Sequence, residues 1–297
     1  MMTKKLLVAL VVMALVGLAN AETVMLITNG APAGVVDTVG TTYPTGLPGD
    51  IIPAGMEGVY NASTYRIEDA TAPMQDGSGV QYQIHPGASW PNAQGVEWTG
   101  GPILTGSYTI EMLINPDYTH GQAQTGEWGI SFGTTWRSVL MSTEEGWETG
   151  EMVMWIDQTT GKVTFQPQSG STFGDITSSI ALQEGDTKLG GPWYHLAVVV
   201  DRALGTTEMF INGNSAGTGI IPNNPDDVDI KLSLEAICVG GPLNQYPQCN
   251  FQGMMDAFAI SDVALAPANF VLPIVPEPAT ITLLTVGLGM IIRRKRS

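Results

Sequence analysis

The chain has 297 residues, of which 36 are glycine and 19 proline, and only 13% are charged. Outside two terminal apolar runs it shows no long 3.6-residue hydrophobic period, which favours many short strands joined by turns over a helical fold. All 28 acidic residues fall between Glu22 and Glu277, where only 6 of the 12 basic residues lie, so this stretch carries a net charge of −22. Such a field repels nucleic acid and anionic lipid headgroups and is compatible with neutral glycans, cations or plain solubility.

In chain order, the N-terminus presents Lys4 and Lys5, then an uncharged run over residues 6–18, then Ala19, Asn20 and Ala21 before Glu22. A basic start, an apolar stretch of this length and a small-x-small end predict a signal peptide over 1–21, cut between Ala21 and Glu22. A buried or spanning helix is the competing reading, but the run is short of the ~20 apolar residues that cross a bilayer. No cysteine follows the cut to accept a lipid. Residues 22–273 are predicted to form one all-β domain, since no linker or internal repeat interrupts them and this length is ordinary for a single sandwich.

Within that domain the clearest strand is the segment from Tyr108 to Ile114, whose Tyr108, Ile110, Met112 and Ile114 share one face while Thr109 and Glu111 point the other way. The segment from Trp193 to Val200 is apolar on both faces, which predicts a central strand covered on both sides. Glu208 to Ile211 leads into Asn212-Gly213, a dipeptide suited to a tight hairpin turn because both residues tolerate positive φ. A last strand is predicted over residues 251–260.

Few side chains suggest chemistry. Glu144, Glu145, Glu148 and Glu151 form the densest set of carboxylates, spelled as a loop, and the chain has neither a nucleophile elbow nor a zinc-binding helix. His85, His120 and His195 are scattered. Asp226, Asp227 and Asp229 offer oxygen ligands for calcium in a turn-rich stretch without the spacing of an EF-hand, so a solvated acidic loop competes with a calcium site. Cys238 and Cys249 are the two cysteines, and an oxidising compartment predicts a disulfide between them; a free pair is the alternative. Among the seven tryptophans, Trp193 is expected in the core. Trp136 and Trp147 sit near polar, turn-like residues and are the candidate contacts for a glycan, whose C–H faces stack on aromatic rings.

At the C-terminus, residues 279–292 are apolar, preceded by Pro276, Glu277 and Pro278 and followed by Arg293, Arg294, Lys295 and Arg296. A helix of fourteen residues is about 21 Å long against a hydrocarbon core of about 30 Å, so it is a poor permanent anchor. The basic cluster predicts a cytoplasmic end, with everything before Pro276 outside. This order of features resembles the PEP-CTERM sorting signal, which sets a boundary at 274–297. The resemblance implies an exosortase-type membrane protease cutting near Pro-Glu-Pro, and a Gram-negative host that exports polysaccharide or builds a matrix.

The stretches 108–116, 193–201, 208–213 and 251–265 resemble, in sequence and in order, the laminin-G-like domains of the concanavalin A-like lectin/glucanase superfamily, with weaker likeness at 36–40 and 79–84. The resemblance implies a jelly-roll sandwich of two antiparallel sheets with one face of a curved sheet available for ligands. His195 falls in the family's Trp-x-His segment and Asp256 at its Gly-x-x-Asp position, where both are expected to be structural. Hydrolases on this fold carry a Glu-x-Asp-x-x-Glu strand that sets acid and nucleophile about 5 Å apart, and the chain lacks it. The expectation is therefore a non-enzymatic surface or matrix protein, its domain binding polysaccharide or a surface protein. A glycoside hydrolase or lyase on the same fold, and a purely structural coat protein, are the alternatives.

Overall fold

The structure is a computed structural model. It describes residues 23–28, 50–61, 65–68, 73–74, 78–82, 95–116, 137–143, 152–157, 159–167, 175–183, 192–221, 232–240, 251 and 253–275, with the backbone alone at 60–61, 65–68, 78–82 and 137. The first strands are β1 (Thr23–Ile27), β2 (Glu57–Asn61), β3 (Tyr65–Glu68), β4 (Ser78–Tyr82), β5 (Gly95–Thr99) and β6 (Ile103–Leu104). The middle ones are β7 (Tyr108–Pro116), β8 (Arg137–Ser142), β9 (Val153–Asp157), β10 (Lys162–Gln166) and β11 (Ile176–Ala181). Then come β12 (Tyr194–Asp201), β13 (Thr206–Ile211), β14 (Asn214–Ile220), β15 (Leu232–Ser233), β16 (Ala236–Val239) and β17 (Gly253–Ser261), and a 3-10 turn at Pro267–Asn269.

These strands build two large antiparallel sheets. One has eight strands in the order β14-β13-β12-β7-β17-β4-β3, with β1 also paired to β17; the other has seven, β11-β10-β9-β8-β16-β5-β2. The fold is the two-sheet jelly-roll sandwich that the sequence led one to expect. Neighbours such as β7 with β12 and β17, or β16 with β5 and β8, are far apart in sequence, so local pattern alone could not have paired them.

The hairpin after Ile211 forms as its residues predict. Asn212 has φ 51° and Gly213 φ 75°, two consecutive left-handed residues whose twist matches the flanking strands. A side chain on Gly213 would also meet Ile274, 2.8 Å from the position of its Cβ.

The core fills the space between the sheets by simple alternation. From the eight-stranded sheet come Tyr108, Ile110, Met112 and Ile114, with Leu196, Val198, Val200, Met209, Phe258 and Ile260. The seven-stranded sheet answers with Trp98, Leu140, Met141, Met154, Ile156, Val163 and Phe165. The many methionines suit an interior where two twisted sheets leave irregular gaps, because their side chains bend to fill them. Both Leu140 and Met141 reach the core because a bulge in β8 interrupts the alternation between Val139 and Met141.

Two sequence expectations about β7 and β12 are met, and one acquires a reason. β12 is central, between β7 and β13, with Leu196, Val198 and Val200 inward and Ala197 and Val199 outward against Phe210. β7 alternates as read, yet all nine of its residues are buried, polar Thr109 and Glu111 included. The outer face of this sheet is covered by residues 262–275, which follow β17.

Candidate functional site

A sandwich has two outer faces, and here they differ. Over the eight-stranded sheet, Leu272 and Val275 pack on Leu113, Trp193, Met254, Ala257 and Ala259, while Ala264 and Phe270 pack on Ala197, Val199 and Phe210. Trp193 is therefore core-like, as expected, but in the outer cluster and not between the sheets.

The same face holds the closest carboxylate–imidazole pair among the described residues. His195 Nε2 lies 3.0 Å from Glu111 Oε2, with both side chains buried. Glu111 also accepts from the backbone N–H of Val271 at Oε1 and of Leu272 at Oε2, both at 3.0 Å. A carboxylate that accepts two backbone N–H groups and meets an imidazole nitrogen, shut away from water, is satisfied as a structural group. His195 is fixed further by its own backbone N–H, which donates to Asn212 Oδ1 at 2.9 Å, and by the Phe270 ring 5.2 Å away. Its expected structural role is what the geometry supports.

Asp256 is likewise buried and hydrogen-bonded: its Oδ2 accepts from the Met74 backbone N–H at 2.6 Å. It stands at the bulge of β17 between Met255 and Ala257, where the partner strand changes from β4 to β1. A residue skipped by the ladder needs such a side-chain contact to tie down its surroundings.

The outer face of the seven-stranded sheet has different chemistry. Val139, Val153 and Trp155 form an apolar cluster across β8 and β9. Beside it, Thr164 lies opposite Trp155, and Thr164 Oγ1 is 3.1 Å from Thr177 Oγ1 on β11. Gln166 Nε2 donates to Asp175 Oδ2 at 3.2 Å. Thr177 is exposed, and Thr164, Gln166 and Asp175 are half-buried. The Trp155 indole is itself buried, at 7% exposure, so what this face offers a polyol is the row of hydroxyl and amide groups of Thr164, Thr177 and Gln166.

Across the same face, Cys238 on β16 lies opposite Glu97 on β5 and Ser142 on β8. Burial, and secondarily the charge of Glu97, pushes its thiol up, so it is not an activated nucleophile. Among the described residues, no three His, Cys, Asp or Glu side chains gather as metal ligands.

Most residues marked by the sequence reading lie outside the described residues: Trp136, Trp147, Asp226, Asp227, Asp229, Cys249, Ala21, Glu22, Pro276, Glu277, Pro278, Arg293, Arg294, Lys295 and Arg296, as do Glu144, Glu145, Glu148 and Glu151. Trp136 directly precedes β8 in the chain. Trp155 was not singled out beforehand. The run from Val153 to Ile156 is buried on both faces, so no alternation marked which side the indole takes.

The family model described as the concanavalin A-like lectin/glucanases superfamily matches residues 91–269. No curated protein sequence matches. Among solved structures, a heptameric SAP-like pentraxin from Limulus polyphemus is 15% identical with a TM-score of 0.44, covering 66% of this chain and 84% of its own. A Trypanosoma rangeli sialidase in complex with the inhibitor DANA is 9% identical at a TM-score of 0.44, over 83% of this chain and 31% of its own. Domain 4 of an extracellular arabinanase from Geobacillus stearothermophilus, in complex with arabinotriose, is 16% identical at 0.38, over 72% and 84%.

Proposed function

We propose, since the chain belongs to the concanavalin A-like lectin/glucanases superfamily, that it is an exported surface or matrix protein that binds a neutral polysaccharide without cleaving it. The observation that carries this reading is the polar row on the outer face of the seven-stranded sheet. Residues of the chain itself occupy the face of the eight-stranded sheet. On the other face, the hydroxyl and amide groups of Thr164, Thr177 and Gln166 lie in a row beside the buried Trp155. Four of the described carboxylates, Glu111, Asp157, Asp201 and Asp256, accept backbone N–H groups and serve turns, a bulge or the covered face, which supports binding over catalysis. Trp136 and Trp147, carried over from the sequence, are the proposed stacking contacts. The negative field between Glu22 and Glu277 favours a neutral glycan over an anionic one.

Export by the signal peptide over 1–21, and processing near Pro276-Glu277-Pro278 by an exosortase-type protease, belong to the same proposal. They place the domain at the surface or in the extracellular matrix of a Gram-negative bacterium. Titrating the mature domain with neutral β-glucans and with host polysaccharide tests the binding. Trp136→Ala or Trp147→Ala is expected to remove about 1 kcal/mol or more, the scale of aromatic contacts beyond buried area. Gln166→Ala, on the half-buried rim, tests the polar row without touching an aromatic ring. Unchanged affinity in all three variants refutes the site. Release of reducing ends that a single carboxylate substitution abolishes would replace the binding reading by a glycoside hydrolase.

A further inference from the structure

Residues 262–275 form no strand and are tied to the sheet beneath them in an unusual way. None of them belongs to the core between the sheets; their apolar side chains Ala264, Phe270, Leu272 and Val275 pack only with the two outer clusters. Their described hydrogen bonds to the sheet run to two side chains of β7. Thr109 Oγ1 accepts from Leu265 N–H at 2.9 Å and donates to Val263 O at 2.7 Å. Glu111 takes the N–H groups of Val271 and Leu272. Thr109 thus pins the start of the segment, next to β17, and Glu111 pins its far half.

We infer that Glu111 is a latch, holding residues 262–275 as a detachable strap whose release, with the sandwich intact, lengthens the tether to the sorting motif. The strap can open on its own because it contributes neither ladder bonds nor inter-sheet packing, the features that make an element cooperative with the rest of a domain. Opening with Thr109 as the hinge uncovers a shallow apolar strip over Leu113, Ala197, Val199, Phe210, Ala257 and Ala259. It also changes reach. Closed, the strap keeps Val275 packed on the sheet, directly before Pro276. Released, residues 266–275 extend to at most about 35 Å, enough for a membrane-bound protease to draw in the motif while the folded domain stays clear of the bilayer. This second consequence rests on the sorting reading; the latch itself does not.

Hydrogen exchange on the full exported chain, wild type and Glu111→Gln, tests the latch. Glutamine presents one oxygen where the carboxylate offers two, so the amides of Val271 and Leu272 are expected to exchange about tenfold faster or more, while those of Leu196 to Val200 in β12 are unchanged. Equal exchange in the two chains, or equal acceleration in strap and β12, overturns it. Should the variant fail to fold, the wild type decides through its exchange at rising denaturant: strap amides that open before β12 support the latch, and strap amides that open only with β12 refute it. In a host with the sorting protease, the variant is expected to lose its tail faster than wild type. Equal rates with a loosened strap overturn the spacer role. If neither chain is processed, the sorting reading fails and the exchange result still judges the latch.

Discussion

Gly58 on β2 lies opposite Trp98 on β5, and the indole is fully buried between the sheets. A Cβ on Gly58 would stand 2.9 Å from each of three ring carbons of Trp98, against an optimal carbon–carbon separation of about 3.5–4.0 Å. The ring is flat against the strand and enclosed by core side chains, so it has little room to retreat. Gly58→Ala should therefore carry an overpacking cost of about 1–3 kcal/mol, offset by the roughly 0.5–1 kcal/mol that alanine gains over glycine in an ordered strand. A net loss of about 1–2 kcal/mol corresponds to a fall in Tm of about 2–8 °C for a domain of this size. Urea unfolding followed by tryptophan fluorescence should show a lower midpoint with an unchanged slope. In a Trp98→Leu background the flat ring is gone, and the same alanine should cost nothing or stabilise slightly, which gives a coupling of about 1 kcal/mol or more. Full stability of Gly58→Ala, or an equal cost in both backgrounds, would refute the packing argument.

Other expectations follow from named residues. Peptide mapping of mature protein without reductant should show Cys238 linked to Cys249, a bond that closes a short loop and contributes about 2–3 kcal/mol; recovery of both as alkylated thiols after unfolding refutes it. Gly213→Val, at φ 75° and against Ile274, should destabilise by more than the roughly 1–2 kcal/mol cost of a left-handed residue alone, and Asn212→Gly, which keeps the turn but removes the acceptor of the His195 backbone N–H, should cost about 1–3 kcal/mol in thermal unfolding. The intact mass of chain recovered outside a sorting-competent host should lack Arg293, Arg294, Lys295 and Arg296; a retained basic tail makes the segment an anchor and weakens the matrix assignment.

The sequence by itself determined the fold class, the central place of β12, the Asn212-Gly213 turn and the structural standing of His195. Each of these is encoded locally, in the period of apolar residues, in a dipeptide that tolerates positive φ, or in a short family-like spelling. It also read the two faces of β7 correctly, since alternation puts Thr109 and Glu111 opposite Ile110 and Met112 whatever lies above them. Only the tertiary structure decided what lies above them. The strap that turns Glu111 from a surface carboxylate into a buried acceptor comes from residues 271 and 272, some 160 positions away, and nothing in the spelling of either segment records the partnership. The same holds for Trp155. In a strand buried on both faces, the side an indole takes is fixed by register against β8 and β10, set by pairings between strands and by the bulge at Val139, which residue type alone does not encode.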